Sequence, residues 1–278
     1  MQDCRLVAPT RARNGARLVV AELVRVPIRH AVHRTLNSGE FSYCLVTFST
    51  PSTCLHVCLF DIDGTLIHTR GAGLAALRAG LREAFGIEEP TDRVLVHGRT
   101  DRGITRDLFR FHGIDDLPAH WERFRAAYLR VLPESLASRA GTVLPGVAEL
   151  LERLSARDDV RLGLLTGNTR HGARIKLAHY RLDHHFDFGA FGDEHLERDD
   201  VAREALAAAT SRLNGQIDLA RVWVIGDTPT DVTCGRAIGA RTLAVCTGNH
   251  SAEELSVARP DCLAADFSDP QVLLELLG

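Results

Sequence analysis

The sequence predicts an α/β fold: a doubly wound parallel sheet with a small all-helical insert. Three short runs of strand length, Leu55–Phe60, Val160–Leu165 and Arg221–Ile225, alternate with stretches whose apolar residues recur at helical spacing. Each run ends on a loop built for anion or cation chemistry. These loops are Asp61-Ile62-Asp63-Gly64-Thr65-Leu66, Thr166-Gly167-Asn168 and Gly226-Asp227-Thr228-Pro229-Thr230-Asp231. Between residues 71 and 140 the sequence reads as helix only.

Taken in order, Leu55–Phe60 opens the core. After its acidic turn, Ala72–Phe85 places Leu74, Leu77, Leu81 and Phe85 at helical spacing, with Gly86 as the C-cap. Helices over Asp101–His112 and Ala119–Val131 follow, punctuated by Gly113 and Pro133. Pro145–Ala156 turns Val147, Leu150, Leu151 and Leu154 inward. The strand Val160–Leu165 precedes a helix over Gly172–His179, a short strand over Phe186–Ala190 and a helix over Val201–Leu213. The strand Arg221–Ile225 leads to a helix over Asp231–Ile238, a strand over Arg241–Cys246, a helix over Glu253–Val257, an edge strand at Cys262–Ala264 and a closing helix over Pro270–Leu277. Strands alternating with helices imply right-handed crossovers and a parallel sheet covered on both faces. The organisation that follows is a core of residues 55–70 and 141–278, an insert of residues 71–140, and an N-terminal extension of residues 1–54.

That extension differs from the rest. It holds Arg5, Arg11, Arg13, Arg17, Arg25, Arg29 and Arg34 against only Asp3, Glu22 and Glu40, and shows no clear period. It is expected to be a disordered extension or, alternatively, an Arg-rich targeting segment. The 278 residues and 45% hydrophobic content give ample material for a core. A net charge of −3 offers no reason for a nucleic acid or acidic membrane partner, and no apolar run reaches the ~20 residues of a membrane span. Seven scattered cysteines form no CxxC pair, which points to a reducing cytoplasm, or an organelle if the extension directs import. A monomer or homodimer is expected.

The loops carry the chemistry. Two acidic clusters at the C-terminal ends of parallel strands would meet in one crevice, a place to hold a divalent cation and act on an anion. Asp61 is expected to be ionised at neutral pH and able to attack phosphorus. Asp63 is expected to act as general acid and base. Gly64 permits the sharp turn after the acids. Thr166 would hydrogen-bond a phosphate oxygen, and the Gly167 and Asn168 N–H groups would bind an anion at a helix start, unless Thr or Asn serves as an ordinary N-cap. Asp227 and Asp231 offer the hard oxygens Mg²⁺ prefers; Asp231 reads equally as an acid complementing a helix N-terminus. Lys176 is the only lysine of the chain.

The order strand–DIDGTL, strand–TGN, strand–GDTPTD closely resembles the haloacid dehalogenase-like hydrolase superfamily, and within it the phosphoglycolate phosphatase-like branch, over about residues 55–278. The resemblance implies a Rossmann-like core with a helical cap. It makes Asp61 the nucleophile and assigns Mg²⁺ to Asp61, the backbone carbonyl of Asp63 and Asp227, with Asp231 as ligand or orienter. The presence of Asp63 favours phosphatases over the dehalogenases. The Lys-Pro pair of relatives in this branch is missing from the matching stretch, His195–Asp200. Arg198 or Lys176 is therefore left to neutralise the phosphate and hold Asp61. Gly98-Arg99-Thr100-Asp101 resembles a cap segment, where Arg99 either contacts a substrate carboxylate or is solvated at a helix entry. The implied activity is Mg²⁺-dependent hydrolysis of a small phosphomonoester, phosphoglycolate-like or a phosphosugar, through an aspartyl-phosphate. The alternatives are a phosphosugar mutase and a non-catalytic binding protein on the same fold. A phosphonatase needs a cap lysine, and residues 71–140 contain none.

Overall fold

The computed structural model describes residues 55–278 apart from 92 and 216, together with the backbone of two short strands nearer the N-terminus. The chain divides into two units, Met1–Thr53 and Cys54–Gly278. In the first, β1 (His30–His33) pairs antiparallel with β2 (Cys44–Thr47), a pairing the sequence reading did not anticipate. The remaining expectations for residues 1–54 lie outside the described residues.

The second unit begins with β3 (His56–Phe60) and a two-residue strand β4 (Ile67–His68), then α1 (Ala72–Phe85), α2 (Asp101–Phe111) and α3 (Pro118–Ala137). A second short strand, β5 (Thr142–Val143), pairs antiparallel with β4 and brackets the three helices. There follow α4 (Val147–Ser155), β6 (Val160–Leu165), α5 (Arg170–His179), β7 (Phe188–Ala190), α6 (Arg198–Arg212), β8 (Val222–Gly226) and α7 (Pro229–Ala237). The unit ends with β9 (Arg241–Val245), α8 (Ala252–Val257), β10 (Cys262–Ala264) and α9 (Gln271–Leu277).

Six strands form one parallel sheet in the order β10-β9-β8-β3-β6-β7. The chain winds outward from β3 in one direction and then in the other. The switch of direction leaves a crevice above the carboxyl ends of β3, β6 and β8. All five residues of β3 are buried, as expected of a strand covered on both faces. Cys58 and Phe60 pack with Leu150 and Leu154 of α4, Leu177 of α5 and Leu273 of α9. Val57 and Leu59 turn the opposite way, against Val201 and Ala205 of α6 and Cys234 of α7. The period-two alternation of one strand thus feeds two helical layers.

The helices between β4 and β5 keep a core of their own, with Leu81, Phe109, Phe124 and Leu132 among its members. Gly80 lets α1 approach the backbone of Tyr128 in α3; a Cβ there would sit 3.1 Å from the Tyr128 nitrogen. Pro133, expected to end its helix, lies inside α3. A proline removes a helical hydrogen bond, and Pro133 is exposed on the outer face of α3. On the inner face Leu132 and Leu136 are buried and the Ser135 hydroxyl donates to the Ala72 carbonyl at 2.9 Å, which holds the helix together to Ala137. The helix expected from Val201 starts at Arg198, with Asp199 and Asp200 in its first turn complementing the dipole. Cys246, expected as a buried strand residue, falls one position beyond β9 and is half-buried. Among the described residues no helix is long and apolar enough to cross a membrane.

Candidate active site

Neighbouring strands fix the site. Phe60 is in register with Leu164 of β6 and Ile225 of β8, so Asp61, Thr166 and Asp227 emerge side by side one or two residues later. The Asp61 N–H extends the ladder by donating to the Ile225 carbonyl at 2.9 Å. The loop then turns sharply. Gly64 has φ +87°, its N–H donates to the Ile67 carbonyl at 2.8 Å, and a Cβ at this position would collide with the Asp227 carboxylate. Only glycine combines that dihedral with so close an approach. The Thr65 hydroxyl donates to Asp227 Oδ1 at 3.1 Å and orients it.

Asp61, Asp227 and Asp231 each present a carboxylate oxygen, and these atoms lie within 4.8 Å of one another. All three residues are buried. Asp231 is already engaged. Its Oδ2 accepts from the Thr228 N–H at 3.0 Å and the Thr228 hydroxyl at 2.7 Å, closing a capping box on α7, and its Oδ1 accepts from Arg198 Nη2 at 2.5 Å. The two readings of Asp231 therefore coexist: it is a helix-start acid and also a member of the triad. The same Arg198 nitrogen stands 3.6 Å from Asp61 Oδ1, an oxygen that is buried with no hydrogen-bond partner.

Crowding sets the electrostatics. Burial raises the Asp61 carboxyl to about 6; Arg198 opposes the rise, and Asp231 and Asp63 add to it. At about 6 the carboxyl is still largely ionised at neutral pH, with a narrower margin than an exposed aspartate has. Burial, then Asp231 and Asp61, push Asp227 up to about 8, with the Thr65 hydroxyl opposing. Burial works against the Arg198 charge, yet Asp61 and Asp231 carry its pKa above the ordinary arginine value. Two of the three buried carboxylates, Asp61 and Asp231, share one guanidinium, and Asp61 Oδ1 is an open donor. This hard-oxygen set fits Mg²⁺.

The second cation serves a different acid. Lys176 Nζ donates to Asp63 Oδ2 at 2.5 Å and to Asn168 Oδ1 at 2.6 Å. The Asn168 amide nitrogen in turn donates to Asp63 Oδ2 at 2.8 Å and to the Thr166 hydroxyl oxygen at 2.9 Å. Lys176 and Arg198, weighed as alternatives from the sequence, are both buried at the site and divide the labour. Arg198 lies against Asp61 and Asp231; Lys176 lies against Asp63. Thr166 is fully buried, and Thr169, not Thr166 or Asn168, caps α5.

The helical insert reaches down onto these loops. Thr100 caps α2 and its hydroxyl donates to the Leu196 carbonyl at 3.0 Å, while the N–H groups of Asp101 and Arg102 donate to the carbonyls of Gly167 at 2.7 Å and Gly192 at 3.2 Å. In return, Asp101 Oδ2 accepts the Thr169 N–H at 2.8 Å. Asp101 is buried, which raises its carboxyl to about 6 against the lowering effects of Lys176 and the Thr169 N–H. Arg99 borders the cavity, but its Nη2 pairs with Asp107 at 2.7 Å and its Nη1 donates to the Leu95 carbonyl at 3.2 Å. The cavity between insert and core measures about 390 Å³, and Asp61, Asp63, Gly167, Asn168, Lys176 and Asp227 line its inner end. Asp101, Tyr128 and Asn249 also line it and were missed from the sequence. Asp101 sat in a segment already singled out; Tyr128 and Asn249 carry no local signal.

A model for haloacid dehalogenase-like hydrolases matches residues 55–239. The chain belongs to this hydrolase family. Among its relatives, the probable phosphatase IndB of Dickeya dadantii is 29% identical over 215 residues, covering 76% of this chain and 90% of that protein. The phosphoglycolate phosphatase of Pectobacterium atrosepticum is 23% identical over 230 residues, covering 81% of this chain and 94% of that one. The structure of CbbY from Rhodobacter sphaeroides in complex with phosphate superposes with a TM-score of 0.61 at 20% identity, covering 77% of this chain and 96% of that chain; this likeness shows the fold.

Proposed function

We propose that this hydrolase is a Mg²⁺-dependent phosphatase that cleaves a small phosphomonoester through an aspartyl-phosphate on Asp61. The observation that carries the reading is the buried triad Asp61, Asp227 and Asp231 with its unpartnered Asp61 oxygen, set beside Asp63 at the inner end of the cavity. Asp61, the Asp63 carbonyl and Asp227 would hold the ion, with Asp231 fixed behind them by Arg198 and Thr228. When bound, the ion offsets charge on the transferring phosphoryl group and aligns its oxygens.

The remaining steps belong to the chain. An Asp61 oxygen bonds to phosphorus as the ester P–O bond breaks, and Asp63 gives its proton to the leaving alcohol oxygen. In the second step Asp63 takes a proton from a water whose oxygen bonds to phosphorus. The Asp61–phosphorus bond breaks, and inorganic phosphate and the free carboxylate are restored. Both Lys176 and Asn168 grip Asp63 through Oδ2, which leaves Oδ1 for proton transfer. The Gly167 N–H would bind the phosphate, while the Asn168 N–H donates to the Thr166 hydroxyl oxygen at 3.4 Å and steadies the loop, and the insert excludes bulk water while the ester is held.

Purified protein is expected to release inorganic phosphate from a panel of phosphomonoesters with Mg²⁺, to stop in EDTA and to recover when Mg²⁺ is restored. Asp61→Asn should lower that release on the order of 10⁴-fold or more while retaining the wild-type circular dichroism spectrum. Turnover indifferent to EDTA, or full turnover in the Asn variant, overturns the reading.

A further inference from the structure

The cavity is polarised in a way the phosphatase chemistry alone does not require. Three of the carboxylates in its lining, Asp61, Asp63 and Asp227, come from the core loops, and the fourth, Asp101 at the start of α2, is turned to the Thr169 N–H. The insert contributes an apolar patch, Leu74 and Leu77 one turn apart on α1, Val96 before α2, Ile104 on α2 and Tyr128 on α3, beside the polar His97, Arg99 and Asp101. Leu77, Ile104 and Tyr128 belong to the insert's own hydrophobic core, with Val96 packed against it, so that core is open to the cavity on this side. Leu74 is 39% exposed, a large apolar side chain left uncovered at the cavity wall.

The polar groups among these residues are turned to one another. Arg99 is paired with Asp107 at 2.7 Å. The His68 ring accepts from the Arg70 N–H at 3.1 Å, and the His97 ring lies 3.1 Å from the Asn249 amide nitrogen. The Arg70 guanidinium is exposed, where a cation contributes little to holding an anion. The buried cations that line the cavity, Lys176 and Arg198, are already held by Asp63 and Asn168 and by Asp231, so a carboxylate or second phosphate on the leaving group would meet the apolar side chains of the insert without a free counter-charge, a costly placement. At roughly 30 Å³ per water, 390 Å³ corresponds to about thirteen waters, more than a phosphate and its ion fill. We infer that the substrate is a phosphomonoester of an apolar alcohol, whose hydrocarbon body covers Leu74 and completes the exposed side of the insert's core. This inference rests on the phosphatase reading of the same site.

Alkyl phosphates test it, because their leaving alcohols differ little in reactivity along the chain. With Mg²⁺, kcat/KM is expected to rise about fourfold per added methylene from methyl through butyl to hexyl phosphate, until the cavity is filled. Hexyl phosphate should exceed 2-phosphoglycolate and pyrophosphate at least tenfold. Leu74→Asp, near the N-terminus of α1 where an acid suits the helix, should cut the hexyl-to-methyl ratio about tenfold or more. Val96→Asp should do the same from a different segment. A flat series, a preference for 2-phosphoglycolate or pyrophosphate, or an unchanged ratio in both variants overturns the substrate class and leaves the reaction standing. No phosphate release from any of these compounds overturns the phosphatase reading and this inference with it.

Discussion

Arg198→Met keeps the apolar bulk of the side chain and deletes its charge. The guanidinium is buried, 2.5 Å from Asp231 and 3.6 Å from Asp61. Removing one side of a buried ion pair typically costs about 3–5 kcal/mol, because the carboxylates left behind are desolvated and uncompensated. At about 2–4 °C per kcal/mol for a unit of this size, Tm should fall by roughly 6–20 °C at pH 8 in EDTA. The pH dependence has a definite sign. Asp61 rises from the ordinary 3.8 to about 6 in the folded protein. Its contribution therefore favours the native state fully below 3.8 and is lost as pH rises through about 6. Arg198 is the main influence holding that rise down, so without it the folded value climbs further and the penalty grows between pH 4 and pH 8. The gap in Tm between variant and wild type, followed by circular dichroism, should be small at pH 4.5 and full at pH 8. Saturating Mg²⁺ should narrow it at pH 8, since the ion supplies charge to the same carboxylates. A gap that is independent of pH, or under about 2 °C at pH 8, refutes the reasoning.

Two further substitutions probe the neighbouring loops. Asp101 is raised from 3.8 to about 6, so its contribution to stability is present below 3.8 and lost as pH rises through 6, a shift worth on the order of 3 kcal/mol. Asp101→Asn keeps an acceptor for the Thr169 N–H and has no proton to lose. Denaturant unfolding at pH 4.5, 6 and 7.5 should show a flatter profile than wild type, and an unchanged profile would count against the burial argument. Gly64→Ala forces a Cβ into the Asp227 carboxylate at φ +87°. Mg²⁺ titration of phosphate release should show an apparent affinity weakened by about 10–100-fold, the range for disturbed metal-site support, and unaltered affinity would mean that the loop relaxes freely.

The parts of this molecule that were legible in its sequence share a physical trait. Val160–Leu165, Cys262–Ala264 and Ala72–Phe85 appear at the boundaries expected of them, because buried strands and amphipathic helices announce themselves through local periodicity and glycine stops. The two-residue strands β4 and β5 were invisible: each is too short to have a period, and their partners, Ile67 with Val143 and His68 with Thr142, lie far apart in the chain. The acids were legible for a related reason. An aspartate has a short side chain, so a place at a strand end nearly fixes where its carboxylate lies. The cations were not. Lys176 and Arg198 stand on helices and reach the site through long flexible stems. Lys176 meets an aspartate 113 positions away, and Arg198 meets its partner Asp231 from the first turn of a helix that starts three residues earlier than periodicity indicates. The family resemblance implied that one cation was wanted at the site. It could not show that two would be present, each bound to a different carboxylate, because that depends on how α5 and α6 lie against opposite faces of the sheet. A lysine or arginine role read from spacing alone is therefore a weaker inference than an aspartate role read from a strand end, even where both motifs look equally clear.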